Sequence, residues 1–190
     1  MTKTIYLMRH GETLFNQEQR IQGWCDSPLT PTGRAQAQAA GQWLKAHQIH
    51  IESGYCSTQE RASDTLSLVC PTLPITRLKG LKEWNFGRFE GQPEYLNPPA
   101  PYGDYFVAYG GEAQSDVQKR VVATLMAIAE KDPASTILVV SHGGACYNFV
   151  HQFGWDKFQA AHEQLSNCTM LKYTYADGTF ALQSVIHPEG

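Results

Sequence analysis

Thr4-Ile5-Tyr6-Leu7-Met8-Arg9-His10-Gly11 decides how the chain is read. Four consecutive apolar residues run into Arg-His-Gly. A second stretch, Thr136-Ile137-Leu138-Val139-Val140-Ser141-His142-Gly143-Gly144, ends the same way. A short apolar run, partly β-branched or aromatic and closed by glycine, predicts a strand buried on both faces. Such strands belong to parallel sheets covered by helices. Ligands of open parallel sheets bind beyond the carboxyl ends of the strands. If the two strands are neighbours, His10 and His142 meet at that edge with Arg9 beside them. Two imidazoles and a guanidinium suit a phosphate group.

The composition sets bounds around these strands. A chain of 190 residues, 42% hydrophobic and 17% charged, fits one globular domain over residues 1–190. A net charge of −3 offers no broad basic field, so no nucleic-acid partner is expected. No stretch is long enough to span a membrane, and residues 5–8 are too short for a signal peptide, so a cytoplasmic location is expected. The five cysteines, Cys25, Cys56, Cys70, Cys146 and Cys168, are odd in number and form no C-x-x-C. They predict reduced thiols, with neither a disulfide framework nor a zinc site. Asn167-Cys168-Thr169 formally matches a glycosylation sequon and reads as chance without a secretory signal.

The rest of the pattern alternates strands and helices. Residues 9–28 form a long loop holding Phe15, Asn16, Gln22, Gly23 and Trp24, and long loops at strand ends are often functional. Thr30 and Pro31 are suited to the N-cap and first position of a helix to about residue 46. Residues 49–56 predict a strand, and Ser57 or Thr58 can cap a helix through residue 69. A short strand over 73–78 follows. Residues 92–111 are an insertion rich in Pro, Gly and Tyr, placed over the sheet edge, whose aromatics argue for packing over disorder. Val117, Val121, Leu125 and Ile128 recur at helical spacing within a helix over 112–131. Further helices are expected over 145–151 and 158–165, then a hairpin turning at Asp177-Gly178.

His10 is the first candidate for chemistry. A neutral imidazole can attack phosphorus if its far nitrogen is held, and a carbonyl in the Gly11 turn could hold it. A protonated His142 would neutralise a phosphoryl oxygen, with Gly143 and Gly144 letting phosphate approach closely. Arg9 and Arg61 are suited to grip phosphate oxygens in pairs. Glu83, between Leu81 and Trp84, could be a general acid in desolvating surroundings. On spacing alone, Glu12, Glu60 and Glu90 compete with it.

The ordered motifs resemble the histidine phosphatase superfamily in its phosphoglycerate-mutase-like branch. They are Arg9-His10-Gly11-Glu12-Thr13 with Asn16; Gly23, Asp26-Ser27-Pro28-Leu29-Thr30, Gly33 and Gln36-Ala37; and Ser57, Arg61-Ala62 and Thr65. Glu83, Phe86-Gly87 and Glu90-Gly91 follow, then Gly111-Glu112 with Arg120, and Ser141-His142-Gly143-Gly144. The resemblance covers almost the whole chain and implies a three-layer α/β/α sandwich with a mainly parallel central sheet. It implies that His10 is the phosphorylated nucleophile, that Arg9, Arg61 and His142 form the phosphate pocket, and that Glu83 donates the proton. It also implies that Asn16 lies near the transferred group. Gln22, Gly23, Trp24 and Gly143 complete the expected substrate contacts. Gln59 and Asp64 stand where the family commonly has an aliphatic residue and Gln, and Tyr147 where many members have Arg.

Other phosphate chemistries fit poorly. A cysteine-based phosphatase needs five residues between Cys and Arg, and only four separate Cys56 from Arg61. G-x-x-x-x-G-K-[ST] and H-E-x-x-H are absent. Between Arg88 and Lys119 there is no Lys, Arg or His, while Glu90, Glu94, Asp104, Glu112 and Asp116 are present. A mutase must hold the carboxylate of a monophosphoglycerate, so the expectation is a phosphomonoester hydrolase acting on a small-molecule ester without metal or cofactor, as a monomer or homodimer. Phe15, Trp24, Trp84 and the 92–111 segment are expected to wall the substrate. The alternatives are a cofactor-dependent phosphoglycerate mutase and a binding module that holds a phosphorylated ligand without turnover.

Overall fold

The computed structural model describes residues 2–188. Its centre is a six-stranded sheet in the order β3-β2-β4-β1-β5-β6. β1 (Lys3–Arg9), β2 (Ser53–Ser57), β3 (Ile75–Leu78) and β4 (Thr136–Ser141) are parallel to their neighbours within this group. β5 (Met170–Ala176) and β6 (Thr179–Ile186) form the antiparallel hairpin at one edge. Its turn residues, Asp177 and Gly178, both have positive φ, matching the right-handed strand twist.

The two central strands are buried on both faces, as their apolar runs require. Ile5 and Leu7 of β1, with Ile137 and Val139 of β4, join one core. That core is capped by α4 (Gln114–Lys131) and α5 (Gly143–Gln152) through Val117, Val121, Leu125 and Phe149. Tyr6, Met8, Leu138 and Val140 point the other way. They meet Ala37, Ala40 and Leu44 of α2 (Pro31–Ala46) and Leu66 and Val69 of α3 (Glu60–Val69). Two short helices, α1 (Leu14–Gln17) and α6 (Trp155–Ala160), complete the helical set.

Several boundaries differ from the pattern reading, each for a local reason. Gln48 turns with φ 56°, and Ile49 N donates to Leu44 O at 2.9 Å, so Ile49 closes α2 and β2 starts later. Neither Ser57 nor Thr58 caps α3, whose N-cap position falls at Gln59; the Ser57 hydroxyl accepts from Gln59 N at 3.2 Å and meets His142 Nε2 at 2.6 Å. Glu112 stays outside α4, ion-paired with Arg120 at 2.8 Å. α5 begins at Gly143, so both glycines lie in its first turn. The sixth helix falls earlier than expected, while the Leu165 carbonyl accepts from Arg9 Nη1 at 2.5 Å.

The 92–111 segment is packed, and its centre is Phe106, fully buried. Phe86, Phe89, Tyr102 and Tyr105 meet that ring edge-on at centroid distances of 4.9–5.4 Å. Two 3-10 turns, Glu94–Leu96 and Tyr105–Tyr109, give it shape. Gly91 N to Ile21 O at 2.7 Å, Ile21 N to Gln92 O at 2.8 Å and Glu94 N to Gln19 O at 2.7 Å clip its start to the loop after α1.

Candidate active site

β1 and β4 run in register from Thr4 opposite Thr136 to Arg9 opposite Ser141. His10 and His142 therefore leave the sheet at the same level, their ring centroids 5.2 Å apart. Both are buried. The loop behind His10 is tight: a Cβ on Gly11 would come within 2.4 Å of Gly33 O, and one on Gly33 within 2.0 Å of Glu12 O. Thr65 Oγ1 accepts from Gly11 N at 3.0 Å, and Asn167 Nδ2 donates to His10 O at 3.0 Å.

His10 Nδ1 lies 2.7 Å from Gly11 O, so this nitrogen carries the proton and Nε2 holds the lone pair. Burial pushes the imidazole pKa well below its usual range, and Arg61 and Arg9 push the same way against the Gly11 carbonyl. His142 is likewise held neutral, by burial first and then by Arg61, His10, Arg120 and Arg9. A phosphoryl dianion beside His142 would favour the protonated form that neutralises a phosphoryl oxygen. Its Nδ1 is buried with no hydrogen-bond partner among the described residues.

The two arginines differ. Arg9 Nη1 is fixed to Leu165 O, and its Nε is buried without a partner among the described residues, 3.6 Å from where a Cβ on Gly143 would stand. Arg61 instead engages protein acceptors. Its Nε donates to His10 Nε2 at 3.3 Å, Nη1 to Cys25 O at 2.9 Å and to Asp26 Oδ1 at 2.8 Å, and Nη2 to Gly23 O at 2.8 Å. Of the five guanidinium N–H groups, one on Nη2 remains. Without a ligand, the main contacts of Arg61 order the 23–26 loop against His10.

Glu83 is buried, yet its surroundings are not simply apolar. Oε1 accepts from Trp84 N at 2.7 Å and Ala145 N at 3.0 Å, and Oε2 from Gly144 N at 2.9 Å. The last two donors belong to the first turn of α5. Its own backbone is pinned on both sides. Glu83 N donates to Gln59 Oε1 at 2.9 Å, and Glu83 O accepts from Trp24 Nε1 at 2.8 Å and Arg120 Nη2 at 2.7 Å.

A polar cavity of about 320 Å³ is lined by Arg9, His10, Asn16, Gln22, Gly23, Glu83, Glu94 and Gly143, among others. Asn16 Oδ1 accepts from Thr13 Oγ1 at 3.0 Å, leaving its Nδ2 for the cavity, whereas Gln22 Nε2 is bound to Thr13 and Ser27 hydroxyls at 2.7 and 2.8 Å. A second cavity of about 360 Å³ shares Arg9, Phe86, Tyr102, Gly143 and Gly144 with it and adds Trp84, Pro101, Tyr147 and Leu165. Trp24 lines neither. Its indole is turned outward under Lys82 Nζ, 3.6 Å above the ring, because Nε1 is bound to the back of Glu83. Phe15 is likewise outside, with Arg20 over its ring at 5.9 Å.

Four residues that hold the site were not picked out for that work by the sequence pattern. Gln59 bridges Glu83 N and, through Nε2 at 2.6 Å, Gly23 O. Its departure from the family's aliphatic residue was the available signal. Ser57, read as a helix cap and as part of a motif, sits on His142. Arg120 is paired to Glu112 through two N–H groups and also grips the carbonyls of Gly80, Lys82 and Glu83. Asn167 had no signal beyond the sequon. Among the described residues, no three His, Cys, Asp or Glu side chains cluster to hold a metal ion, and no helix is long and apolar enough to cross a membrane.

The sequence profile of the histidine phosphatase superfamily, branch 1, matches residues 5–187. The chain belongs to this superfamily. A protein of Yersinia pestis named "Probable phosphoglycerate mutase GpmB" is 30% identical over 184 residues, covering 91% of this chain and 85% of the relative. A phosphoglycerate mutase from Bacillus anthracis superposes with a TM-score of 0.85 at 28% identity, covering 96% and 92% of the two chains. A phosphoserine phosphatase of Entamoeba histolytica, solved with phosphoserine, gives 0.80 at 26% identity, with 98% of each chain covered. Superfamily relatives of this chain thus include proteins named for both transfer and hydrolysis.

Proposed function

We propose that this chain is a metal-independent phosphomonoester hydrolase that works through a phosphohistidine on His10. The carrying observation is the neutral His10 on the lining of the cavity shared with Arg9 and Glu83, its Nδ1 on Gly11 O and its Nε2 lone pair facing only Arg61 Nε at 3.3 Å, a contact that gives way as Nε2 takes phosphorus.

The reaction runs in two displacements. His10 Nε2 forms a bond to phosphorus as the bond from phosphorus to the ester oxygen breaks, and Glu83 gives that oxygen its proton. Arg9 Nε and Asn16 Nδ2 supply N–H donors to the phosphoryl oxygens, and His142 stabilises the charge that builds on them. Glu83, now a carboxylate, takes a proton from water. The hydroxide oxygen bonds to phosphorus, the bond from nitrogen breaks, and phosphate leaves.

Hydrolysis is favoured over mutase transfer by the walls beside the phosphate position, the polar one that holds Glu94 and an apolar one adjoining it. The adjoining cavity presents Trp84, Phe86, Tyr102, Tyr147 and Leu165, and the only cation on its lining is Arg9. Such a wall suits small neutral or aryl esters. His10→Ala abolishes phosphate release, and radiolabel from a phosphate donor is trapped on His10 in the wild type. Excess chelator leaves the rate unchanged. Activity of His10→Ala near wild type, or a strict metal requirement, sinks the mechanism. Interconversion of 2- and 3-phosphoglycerate much faster than phosphate release from either overturns hydrolysis in favour of the mutase.

A further inference from the structure

One carboxylate in the polar cavity takes no part in the proposed reaction. Glu94 opens the turn Glu94–Leu96 and lines that cavity with Arg9, His10 and Glu83. We propose that Glu94 is a charge filter for the leaving group: it rejects esters whose leaving group carries a carboxylate and admits neutral or ammonium-bearing ones. This rests on the hydrolase reading and adds to it the charge class of the substrate.

The position of Glu94 is fixed by backbone. Its N–H is on Gln19 O at 2.7 Å, and the preceding residue pairs with Arg20 in a short bridge. Burial pushes the Glu94 carboxyl above its ordinary range, and the Arg9 guanidinium on the same cavity lining opposes that shift. Arg9 is also the guanidinium with an unpartnered Nε near Gly143, so a phosphoryl group claims it. Arg20, the other cation on the cavity wall, pairs with Glu18 at 2.7 Å through Nε and donates to Gly91 O at 2.9 Å through Nη1. No Lys, Arg or His lies between Arg88 and Lys119. Three residues beyond Glu94, at the end of its turn, Asn97 Oδ1 is a second acceptor, buried without a partner among the described residues. A leaving-group carboxylate would meet acceptors and a like charge there; a hydroxyl or ammonium would meet partners. Selectivity of this kind comes from repulsion as much as attraction.

Three esters of matched length test it: phosphoglycolate, 2-hydroxyethyl phosphate and phosphoethanolamine. Wild-type kcat/KM for phosphoglycolate falls at least about tenfold below that for the hydroxyethyl ester, the scale of one like-charge pair near a protein surface. Glu94→Gln narrows that ratio about tenfold, and Glu94→Lys inverts it. Comparing ratios between variants cancels the intrinsic reactivity of each ester. Raising the salt concentration narrows the wild-type ratio. Calorimetric binding of the same esters to His10→Ala reads the filter without turnover, with phosphoglycolate weakest. A wild-type protein that releases no phosphate from any ester defeats the hydrolase reading. Equal affinities for the three esters, or ratios unmoved by both Glu94 substitutions, defeat the filter and leave the hydrolase reading standing.

Discussion

Glu83 is held at its backbone as firmly as at its carboxylate, and the two attachments have different consequences for turnover. Its side-chain oxygens take three N–H donors, two from the start of α5, while Gln59, Trp24 and Arg120 fix its main chain. Removing the proton should affect poor leaving groups most. Glu83→Gln is expected to slow phosphorylation by alkyl phosphates about 10²–10⁴-fold, and by p-nitrophenyl phosphate much less, because nitrophenolate hardly needs a proton. Gln59→Leu leaves the carboxyl in place and removes one anchor. It leaves a buried N–H without its acceptor, at a cost of about 1–3 kcal/mol in stability. A misplaced acid loses proton transfer, so Gln59→Leu should repeat the leaving-group contrast of Glu83→Gln at a smaller scale, about tenfold for alkyl esters. Pre-steady-state phosphorylation measured with both substrates checks this. Equal losses for both esters would remove Glu83 from the donor role, and equal losses in Gln59→Leu would make Gln59 a stability residue only.

At the scale of elements, the close approach of α2 to the loop after β1 sets where the nucleophile stands. Gly33, in the first turn of α2, faces Glu12 and Gly11 with no room for a Cβ. Gly33→Ala would force the loop and helix apart, at about 1–3 kcal/mol for an overpacked contact, and would move His10 with the loop. The expected outcome is lowered stability together with a fall in kcat. A variant of unchanged kcat and Tm, by activity assay and thermal melt, would show that the contact yields freely. This arrangement was partly legible in sequence. The apolar runs 5–8 and 137–140, each ending before His-Gly, carried β1, β4 and the meeting of His10 with His142, because burial on both faces leaves a direct mark on composition. Thr30 and Pro31 marked the start of α2 for a similar local reason. The outward turn of Trp24 was not legible, since it depends on a hydrogen bond to Glu83, 59 residues away. Nor was the engagement of Arg61 by the 23–26 loop, because a guanidinium takes carbonyls as readily as phosphate and spacing does not say which is near.

For the molecule as a whole, two neutral imidazoles buried at the sheet edge tie stability to pH. His10 and His142 both have folded-state pKa values pushed well below the usual imidazole value, by burial first and by the neighbouring arginines next. In the unfolded chain each titrates near about 6.5. Between that value and the lower folded ones, the unfolded state binds protons that the folded state does not. The sign follows: stability is fully present above about pH 6.5 and is lost as pH falls through this window. Each histidine contributes a slope of up to about 1.4 kcal/mol per pH unit within this window. Urea unfolding in phosphate-free buffer at pH 7, 6 and 5 measures the slope, and His10→Gln and His142→Gln should each remove about half of it. Slopes that survive both substitutions would place the proton uptake elsewhere. Added inorganic phosphate should oppose the loss, because a bound dianion favours protonation of the histidines inside the folded site and stabilises the state that binds it. The arrangement that keeps His10 unprotonated for attack on phosphorus thus makes the free protein acid-sensitive, and occupancy of the phosphate site relieves it.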